Sequence, residues 1–314
     1  MKLSDIVRYK NLLNSLTCLE SKSMINKELG PTLHAVLTGM LTTPEKGQLL
    51  CKNLADIHSQ IDVYIQTLDS IKGDIQKLID DTEPAYLTES FRLYSEEMVN
   101  DSAVHIMNRR LAITPETEEF IKTRISLYSD WQHPGIIIRP GVENWITSLV
   151  GLDPLYLVDE RAELVNPALR RFNAEYQRRL RTYEVNEQNK APIFKDLPDG
   201  QFSFCFAYNF FHYKPIIIFA RYIEEMFIKL KPGGVFALTF NDGDQAGGVE
   251  LAERSFMVYT PWNMIKSISE KIGYEIIRHD QLDHATTWVE IKKPGELTSL
   301  RGGQSLARLV AKPQ

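Results

Sequence analysis

The stretch that most constrains the fold of this 314-residue chain runs from Phe202 to Asp242. It contains an apolar segment, an amphipathic segment, a Lys-Pro-Gly-Gly turn at 231–234 and a second apolar segment. Short apolar runs bounded by turn residues predict strands, and the amphipathic run between them predicts a helix. A strand, a helix and a strand in succession predict two parallel strands joined by a right-handed crossover. This stretch therefore predicts a sheet that is covered by helices.

The same alternation extends from Gly135 to Ile291. Its last two strand patterns are joined by only a short Asp-rich link, which predicts an antiparallel hairpin. The predicted strands are 135–139, 154–159, Thr182–Val185, Phe202–Tyr208, Val235–Phe240, Tyr274–Arg278 and Thr286–Ile291, and the predicted helices are 142–150, Ala162–Leu180, 215–230 and 261–272. The predicted fold class is α/β, with a mostly parallel sheet that ends in an antiparallel hairpin.

This arrangement resembles the class I S-adenosylmethionine-dependent methyltransferases, and the resemblance covers about residues 131–293. It implies a Rossmann-like sheet, S-adenosylmethionine as the cofactor and methyl transfer as the activity, with the acceptor left open. In that family the cofactor lies over the carboxyl ends of the first strands. Nothing in the resemblance accounts for the helical first part of the chain.

The loop after the first strand departs from the family pattern E/D-x-G-x-G-x-G. Of the segment that ends at Glu143 only Gly141 fits, because Arg139 and Glu143 occupy the other glycine positions. Their side chains enter space that the family leaves for the ligand, so we expect weak or absent cofactor binding. Two interpretations stay open: Arg139 pairs with the methionine carboxylate, or Arg139 and Glu143 fill a vacant pocket.

The resemblance implies further cofactor-binding positions. Asp159 ends the second strand, where the family places an acid that accepts hydrogen bonds from the ribose hydroxyls, although an acid there also caps helices. Asp196 is the acid nearest to the position that contacts the adenine amino group. Tyr208 follows the fourth strand. With Arg139 and Gly141, these residues form the predicted cofactor site.

Asn209 and His212 are the candidate catalytic residues, since the family places groups near the transferred methyl after the fourth strand. His212 is a candidate base for the acceptor proton, and Asn209 is a candidate hydrogen-bonding group. A lone histidine in an aromatic run is also typical of a packed structural residue. The Asn-Asp-Gly-Asp segment at 241–244 is typical of a turn, and we expect no metal.

Residues 1–130 carry helical patterns instead. A helix is predicted to begin near Pro44, and its apolar residues recur in steps of 4 and 3 from Leu50 to Leu78. This 3.5-residue period predicts a left-handed coiled coil with other copies of the chain, and isoleucine at both core positions favours three or more strands. A long helix packed within its own chain is the alternative.

Other helix limits follow from proline and capping residues. Glu83-Pro84 is predicted to end the long helix, because proline disfavours helix in the residue before it. Further helices are predicted over Thr88–Arg109 and Thr114–Tyr128, the second with Thr114 as its N-cap. Apolar residues of these helices are expected to cover one face of the sheet: Phe91, Leu93, Ile106, Phe120, Ile121 and Ile125.

These patterns predict three parts. Residues 1–130 form a helical oligomerisation region with a coiled-coil-like segment at 47–82. Residues 131–295 form the methyltransferase-like domain, and residues 296–314 form a C-terminal tail. The predicted division lies near His133-Pro134.

Composition limits the location and the partners of the chain. The formal net charge is −5, and the three cysteines form no CxxC pair, which favours a reducing compartment. The N-terminus lacks the apolar run of a signal peptide. We expect a cytoplasmic protein, or one assembled into a particle made in the cytoplasm, without a membrane partner. The charge argues against nucleic acid, and the arginines between 170 and 181 are interpreted as either a phosphate contact or a solvated surface.

Two functions remain open at this level. The first is a methyltransferase that is oligomerised by its helical region, with reduced or lost cofactor binding. The second is an inactive protein of the same fold that serves as a structural component of a virion or another large complex. Fold alone does not decide between them.

Overall fold

The computed structural model describes residues 3–19, 44–93, 114–140, 144–170, 172–187, 191–254 and 257–298. The chain divides into two compact units, Met1–Tyr86 and Leu87–Gln314. The functional division predicted near residue 130 stays a prediction. Most of the predicted tail, from residue 299 onwards, lies outside the described residues.

The first unit contains helix α1, residues 3–19, and most of helix α2, Pro44–Leu93. The predicted end of α2 at Glu83-Pro84 is wrong, because the helix continues through Pro84 to Leu93. A proline removes one N–H donor, and here the turns on both sides of it remain helical. The predicted helix Thr88–Arg109 is described only as far as Leu93.

The two core positions of the α2 heptads differ in burial. At one position Leu68 and Ile75 are only 4% and 9% exposed, so the chain itself covers them. At the other position the side chains are between 38% and 48% exposed; they are Ile57, Tyr64, Ile71 and Leu78. We call these four residues the exposed row. The side chains of Leu50 and Leu54 lie outside the described residues.

The second unit follows the predicted alternation. Its helices are α3 (Pro115–Tyr128), α4 (Ala162–Leu169), α5 (Ala174–Gln177), α6 (Ile216–Lys229), α7 (Ala246–Arg254) and α8 (Trp262–Ile272), with short 3-10 helices at Asn144–Leu149 and Phe211–Tyr213. Its strands are β1 (Gly135–Ile138), β2 (Leu155–Asp159), β3 (Leu180–Glu184), β4 (Phe202–Ala207), β5 (Leu230–Asn241), β6 (Glu275–Gln281) and β7 (Thr286–Lys292).

The seven strands form one sheet in the order β3-β2-β1-β4-β5-β7-β6. Strands β1 to β5 run parallel, and β7 pairs antiparallel with both β5 and β6. The predicted fold, a mostly parallel Rossmann-like sheet with a terminal antiparallel hairpin, is confirmed. The register aligns Ile138 with Val158 of β2 and with Ala207 of β4. The carboxyl ends of these three strands therefore meet at one edge of the sheet.

Both faces of the sheet are covered, as a parallel sheet requires. Ile136 and Ile138 point to one face, in a buried cluster with residues of α6 and α8. Ile137 points to the other face, in a cluster with the 3-10 helix Asn144–Leu149, α3 and α4. Ile121 and Ile125 of α3 are fully buried there, which confirms that this helix covers the sheet. The side chains of Phe91, Leu93 and Ile106 lie outside the described residues.

A buried ionic contact fixes α3 on β7. The Glu290 carboxylate accepts two hydrogen bonds of 2.6 Å from Arg124 Nε and Nη2. It also accepts one of 2.6 Å from Tyr128 Oη and one of 2.9 Å from Trp288 Nε1. Four donors thus saturate a carboxylate that has no exposed surface.

Two local predictions are wrong in detail. The single helix Ala162–Leu180 is instead α4 and α5 followed directly by β3, because Asn173 caps a new turn by accepting a 2.8 Å hydrogen bond from the Tyr176 N–H. The turn at 241–244 is followed by α7, which the sequence patterns did not predict.

The Lys-Pro-Gly-Gly segment at 231–234, predicted as a turn, belongs instead to the extended start of β5. Gly233 there has φ +80°, and a Cβ atom on it would lie 2.6 Å from the Leu297 nitrogen. Across the described part of the chain, no helix combines the length and the apolar character needed to cross a membrane.

Candidate functional site

The candidate site lies at the edge where β1, β2 and β4 end. Arg139 follows β1, Asp159 is the last residue of β2, and Asn209 lies two residues after β4. Arg139 and Asn209 have φ values of 56° and 53°. Residues other than glycine rarely adopt this left-handed conformation, and strained backbone of this kind is common at functional sites.

Arg139 is buried against the acidic end of β2. Its Nε lies 3.4 Å from Asp159 Oδ2 and its Nη2 lies 3.5 Å from Glu160 Oε2, while its side chain is 2% exposed. The guanidinium carbon lies 4.9 Å from the centre of the Phe210 ring. Arg139 Nε and Nη1 and Asp159 Oδ2 make no hydrogen bond with any described residue. The two side chains therefore form a close ion pair whose polar atoms still have unused hydrogen-bonding capacity.

Lys214 extends the buried charges toward β3. Its Nζ donates to Glu160 Oε1 and, over 2.7 Å, to Glu187 Oε2. The Tyr222 hydroxyl donates a 2.6 Å hydrogen bond to the other Glu187 oxygen. We call Arg139, Asp159, Glu160, Glu187 and Lys214 the ionic cluster. It links the ends of β1, β2 and β3 to the segment after β4.

Burial shifts the protonation of this cluster. Removal from water raises the pKa of the Asp159 carboxyl, and the positive charges of Arg139 and Lys214 oppose this rise only in part. Burial and the neighbouring Arg139 charge lower the pKa of Lys214 well below its ordinary value, while the negative charge of Asp159 acts in the opposite direction. Charged forms here therefore depend on close partners.

The other residues that follow β4 are held by ordinary contacts. The Asn209 N–H donates a 2.8 Å hydrogen bond to Thr239 Oγ1. The His212 ring is buried, with Nε2 3.4 Å from Thr286 Oγ1. Tyr208 is half-buried, and its ring centre lies 5.4 Å from that of Trp145. The assigned roles of Tyr208, Asn209 and His212 stay predictions.

Of the other two predicted cofactor residues, Asp196 lies outside the ionic cluster and Gly141 is not described. Asp196 is exposed in the loop that leads to the amino end of β4, where its N–H donates a 2.9 Å hydrogen bond to Tyr183 Oη. Gly141, like Glu143, lies outside the described residues.

Sequence patterns missed four members of the site environment: Glu160, Lys214, Glu187 and Tyr222. The signal for Lys214 was a charged residue placed between an aromatic run and Pro215, at the end of a buried strand. Glu187 carried no such signal, because it becomes a neighbour of Lys214 only through the parallel order of the sheet. Among the described residues, no three His, Cys, Asp or Glu side chains are grouped so that they could hold a metal ion.

Comparisons with known proteins give structural matches only. No protein-family model matches the chain, and no curated protein matches its sequence. The chain is similar in structure to an S-adenosylmethionine-dependent methyltransferase from Clostridium acetobutylicum, with 12% identity and a TM-score of 0.49 over 63% of this chain and 100% of that one. It is also similar to the N-methyltransferase NodS from Bradyrhizobium japonicum in complex with S-adenosyl-L-homocysteine, with 14% identity and a TM-score of 0.47 over 63% and 98% of the chains.

Proposed function

We propose that the chain is an S-adenosylmethionine-dependent methyltransferase in which an internal ion pair holds the cofactor site before the ligand binds. The main support is that Arg139 Nη1 and Asp159 Oδ2 are buried without a hydrogen bond to any described residue. Leaving such atoms without partners costs free energy. They lie at the carboxyl ends of parallel strands, where open α/β sheets bind their ligands.

The chemistry of these residues fits that cofactor. Arg139 Nη1 is a charged donor suited to the carboxylate of the methionine part. Asp159 Oδ2 is an acceptor suited to the ribose hydroxyls. When bound, the cofactor supplies a methyl group on a positively charged sulfur. In this proposal Asn209 positions the acceptor and His212 Nε2 takes its proton.

The internal pair lowers the expected affinity. To bind the ligand, Asp159 has to exchange Arg139 Nε for hydroxyl groups, and Arg139 has to turn towards the new carboxylate. Part of the binding free energy is therefore spent on separating charges that are 3.4 Å apart. This supports a site with reduced affinity, as Arg139 at a glycine position leads us to expect.

Two ligands and one variant test the role of Arg139. S-adenosylhomocysteine carries the carboxylate, whereas 5′-methylthioadenosine has the same adenosine part without the amino acid. We expect wild type to bind the first roughly tenfold or more tightly than the second, since a charge-assisted hydrogen bond contributes about 1.5–3 kcal/mol. In Arg139→Met the two ligands should bind alike, as in a double-mutant cycle.

The nearby half-buried Arg161 provides the control. It makes no ion pair with a described residue and follows the acidic pair at the end of β2. Arg161→Met should keep the wild-type preference for S-adenosylhomocysteine. Equal affinity of wild type for both ligands would rule out a carboxylate contact at Arg139.

A second candidate function is an assembly protein of the same fold without methyl transfer. It is supported by the exposed row on α2, which leaves apolar side chains at seven-residue spacing for association with other copies of the chain. Under this alternative the ionic cluster fills the crevice permanently. Purified protein would then form homo-oligomers but bind neither adenosine ligand.

A further inference from the structure

A cavity lies at the opposite edge of the sheet from the ionic cluster. Its volume is about 250 Å³, and it opens where β1, β2 and β4 begin. It is lined by the half-buried Tyr156, by the fully buried Phe202 and by prolines 134, 154 and 198. Ligand pockets in proteins are typically about 300–1,000 Å³, so this cavity suits a single planar ring system rather than a larger molecule.

Two half-buried amide side chains line this cavity, those of Gln132 and Gln201. The backbone N–H of Gln132 donates a 2.9 Å hydrogen bond to Asp130 Oδ1, and that of Gln201 donates a 3.0 Å hydrogen bond to the Lys229 carbonyl. Both residues are therefore fixed in place. Their side-chain amides make no hydrogen bond with any described residue. Each offers one donor group and one acceptor, the combination that reads the edge of a nucleobase.

Arginines at the start of β3 and just before it neighbour residues that line this cavity. Arg181 is the register partner of Tyr156, so both side chains project from the same face of the sheet. Arg179 Nε lies 3.2 Å from Asp153 Oδ1, and Asp153 is the one carboxylate among the described residues that line the cavity. Arg178 and Arg181 are exposed and make no ion pair with a described residue. Arg181 Nη1 donates hydrogen bonds of 2.7 and 3.0 Å to the Arg178 and Leu180 carbonyls. Asp199, in the loop beside the cavity, is paired with Lys229 over 2.6 Å.

We propose that this cavity binds a nucleoside monophosphate. The base enters between the Tyr156 ring and the rings of Pro154 and Pro198, and its polar edge contacts the amides of Gln132 and Gln201. The phosphate stays outside the cavity, near Arg181 and Arg178. This site is separate from the cofactor crevice, because it lies at the amino ends of the same strands.

The test is calorimetric titration of the full chain with the 5′-monophosphates of adenosine, guanosine, cytidine and uridine. We expect at least one of them to bind with one site per chain, and ribose 5-phosphate to bind more weakly because it lacks the base. Gln201→Leu and Arg181→Met should each weaken binding roughly tenfold. Gln281→Leu is the matched control, since Gln281 is exposed on β6 at the far side of the sheet.

A further variant separates this site from the crevice. Asp159→Ala should leave the affinity for the nucleoside monophosphate unchanged, whatever it does to S-adenosylhomocysteine. Loss of binding in Asp159→Ala, or unchanged binding in both Gln201→Leu and Arg181→Met, would place the nucleotide elsewhere and overturn the proposal. The proposal would also be overturned if titration with each of the four nucleotides at millimolar concentration gave no heat of binding.

Discussion

Two buried ionic contacts in this protein differ in how completely their hydrogen bonds are made. Glu290 accepts four hydrogen bonds and connects α3 to the sheet. Arg139 and Asp159 are also buried, and they form an ion pair. Three of their polar atoms nevertheless lack a hydrogen-bond partner among the described residues. A saturated contact is typical of a structural role, whereas an unsaturated one at a sheet edge indicates a ligand site. This contrast is the main reason for placing function at Arg139.

Glu290 should stabilise the protein in a pH-dependent way. Burial alone would raise its pKa, but hydrogen bonds from Arg124, Tyr128 and Trp288 lower it below the ordinary value. The stabilisation is therefore complete above the unfolded-state pKa of about 4.3 and is lost as the pH falls through the lower folded-state pKa. Glu290→Gln should reduce the free energy of unfolding by about 3 kcal/mol at pH 7, and the difference should shrink in acid.

Urea unfolding at pH 7 and at acidic pH would measure this effect. Glu275→Gln is the control, because Glu275 is 55% exposed and 3.9 Å from Lys292, and such surface pairs contribute about 0–1 kcal/mol. If Glu290→Gln lowered the free energy of unfolding as little as the control does, Arg124 would not hold α3 on the sheet through this carboxylate.

Among the elements, α2 shows what periodicity alone leaves undecided. The 3.5-residue period places two rows of apolar residues on one side of the helix. It cannot tell which row the chain covers itself, because that depends on residues distant in sequence. Burial of Leu68 and Ile75 fits packing within the chain, while the exposed row remains available to another copy. The alternative of packing within the chain therefore fits Leu68 and Ile75, and association of copies through the exposed row stays a prediction.

Negative charges introduced into the exposed row should reduce the mass of the proposed homo-oligomer. Tyr64→Asp combined with Ile71→Asp would place carboxylates in an apolar interface, at a cost of several kcal/mol. Light scattering should then report a smaller mass than for wild type. Ser59→Asp combined with Gln66→Asp adds the same charge at exposed positions away from the row and should leave the mass unchanged. A wild type that is already monomeric at micromolar concentration would contradict homo-oligomerisation.

For the molecule as a whole, the sequence predicted the sheet better than the site. The strand patterns placed Arg139 and Asp159 at adjacent strand ends, because parallel strands align their carboxyl ends. They could not predict that the two side chains pair, since this depends on side-chain rotamers and on the register of β1 and β2. Lys214 and Glu187 are 27 residues apart, and only the fold brings them together. The helix predicted over Ala162–Leu180 was wrong because the local Asn173 cap outweighed the helical pattern.

In the proposed function, the unsaturated pair Arg139–Asp159 belongs to a functional cofactor site. The most direct measurement is calorimetric titration of wild type and Asp159→Ala with S-adenosylhomocysteine. We predict one site per wild-type chain with a micromolar to submillimolar dissociation constant, and loss of most binding in Asp159→Ala, because the ribose hydroxyls lose their buried acceptor. Absence of binding by folded wild type at millimolar ligand, or equal binding by both proteins, would contradict the claim.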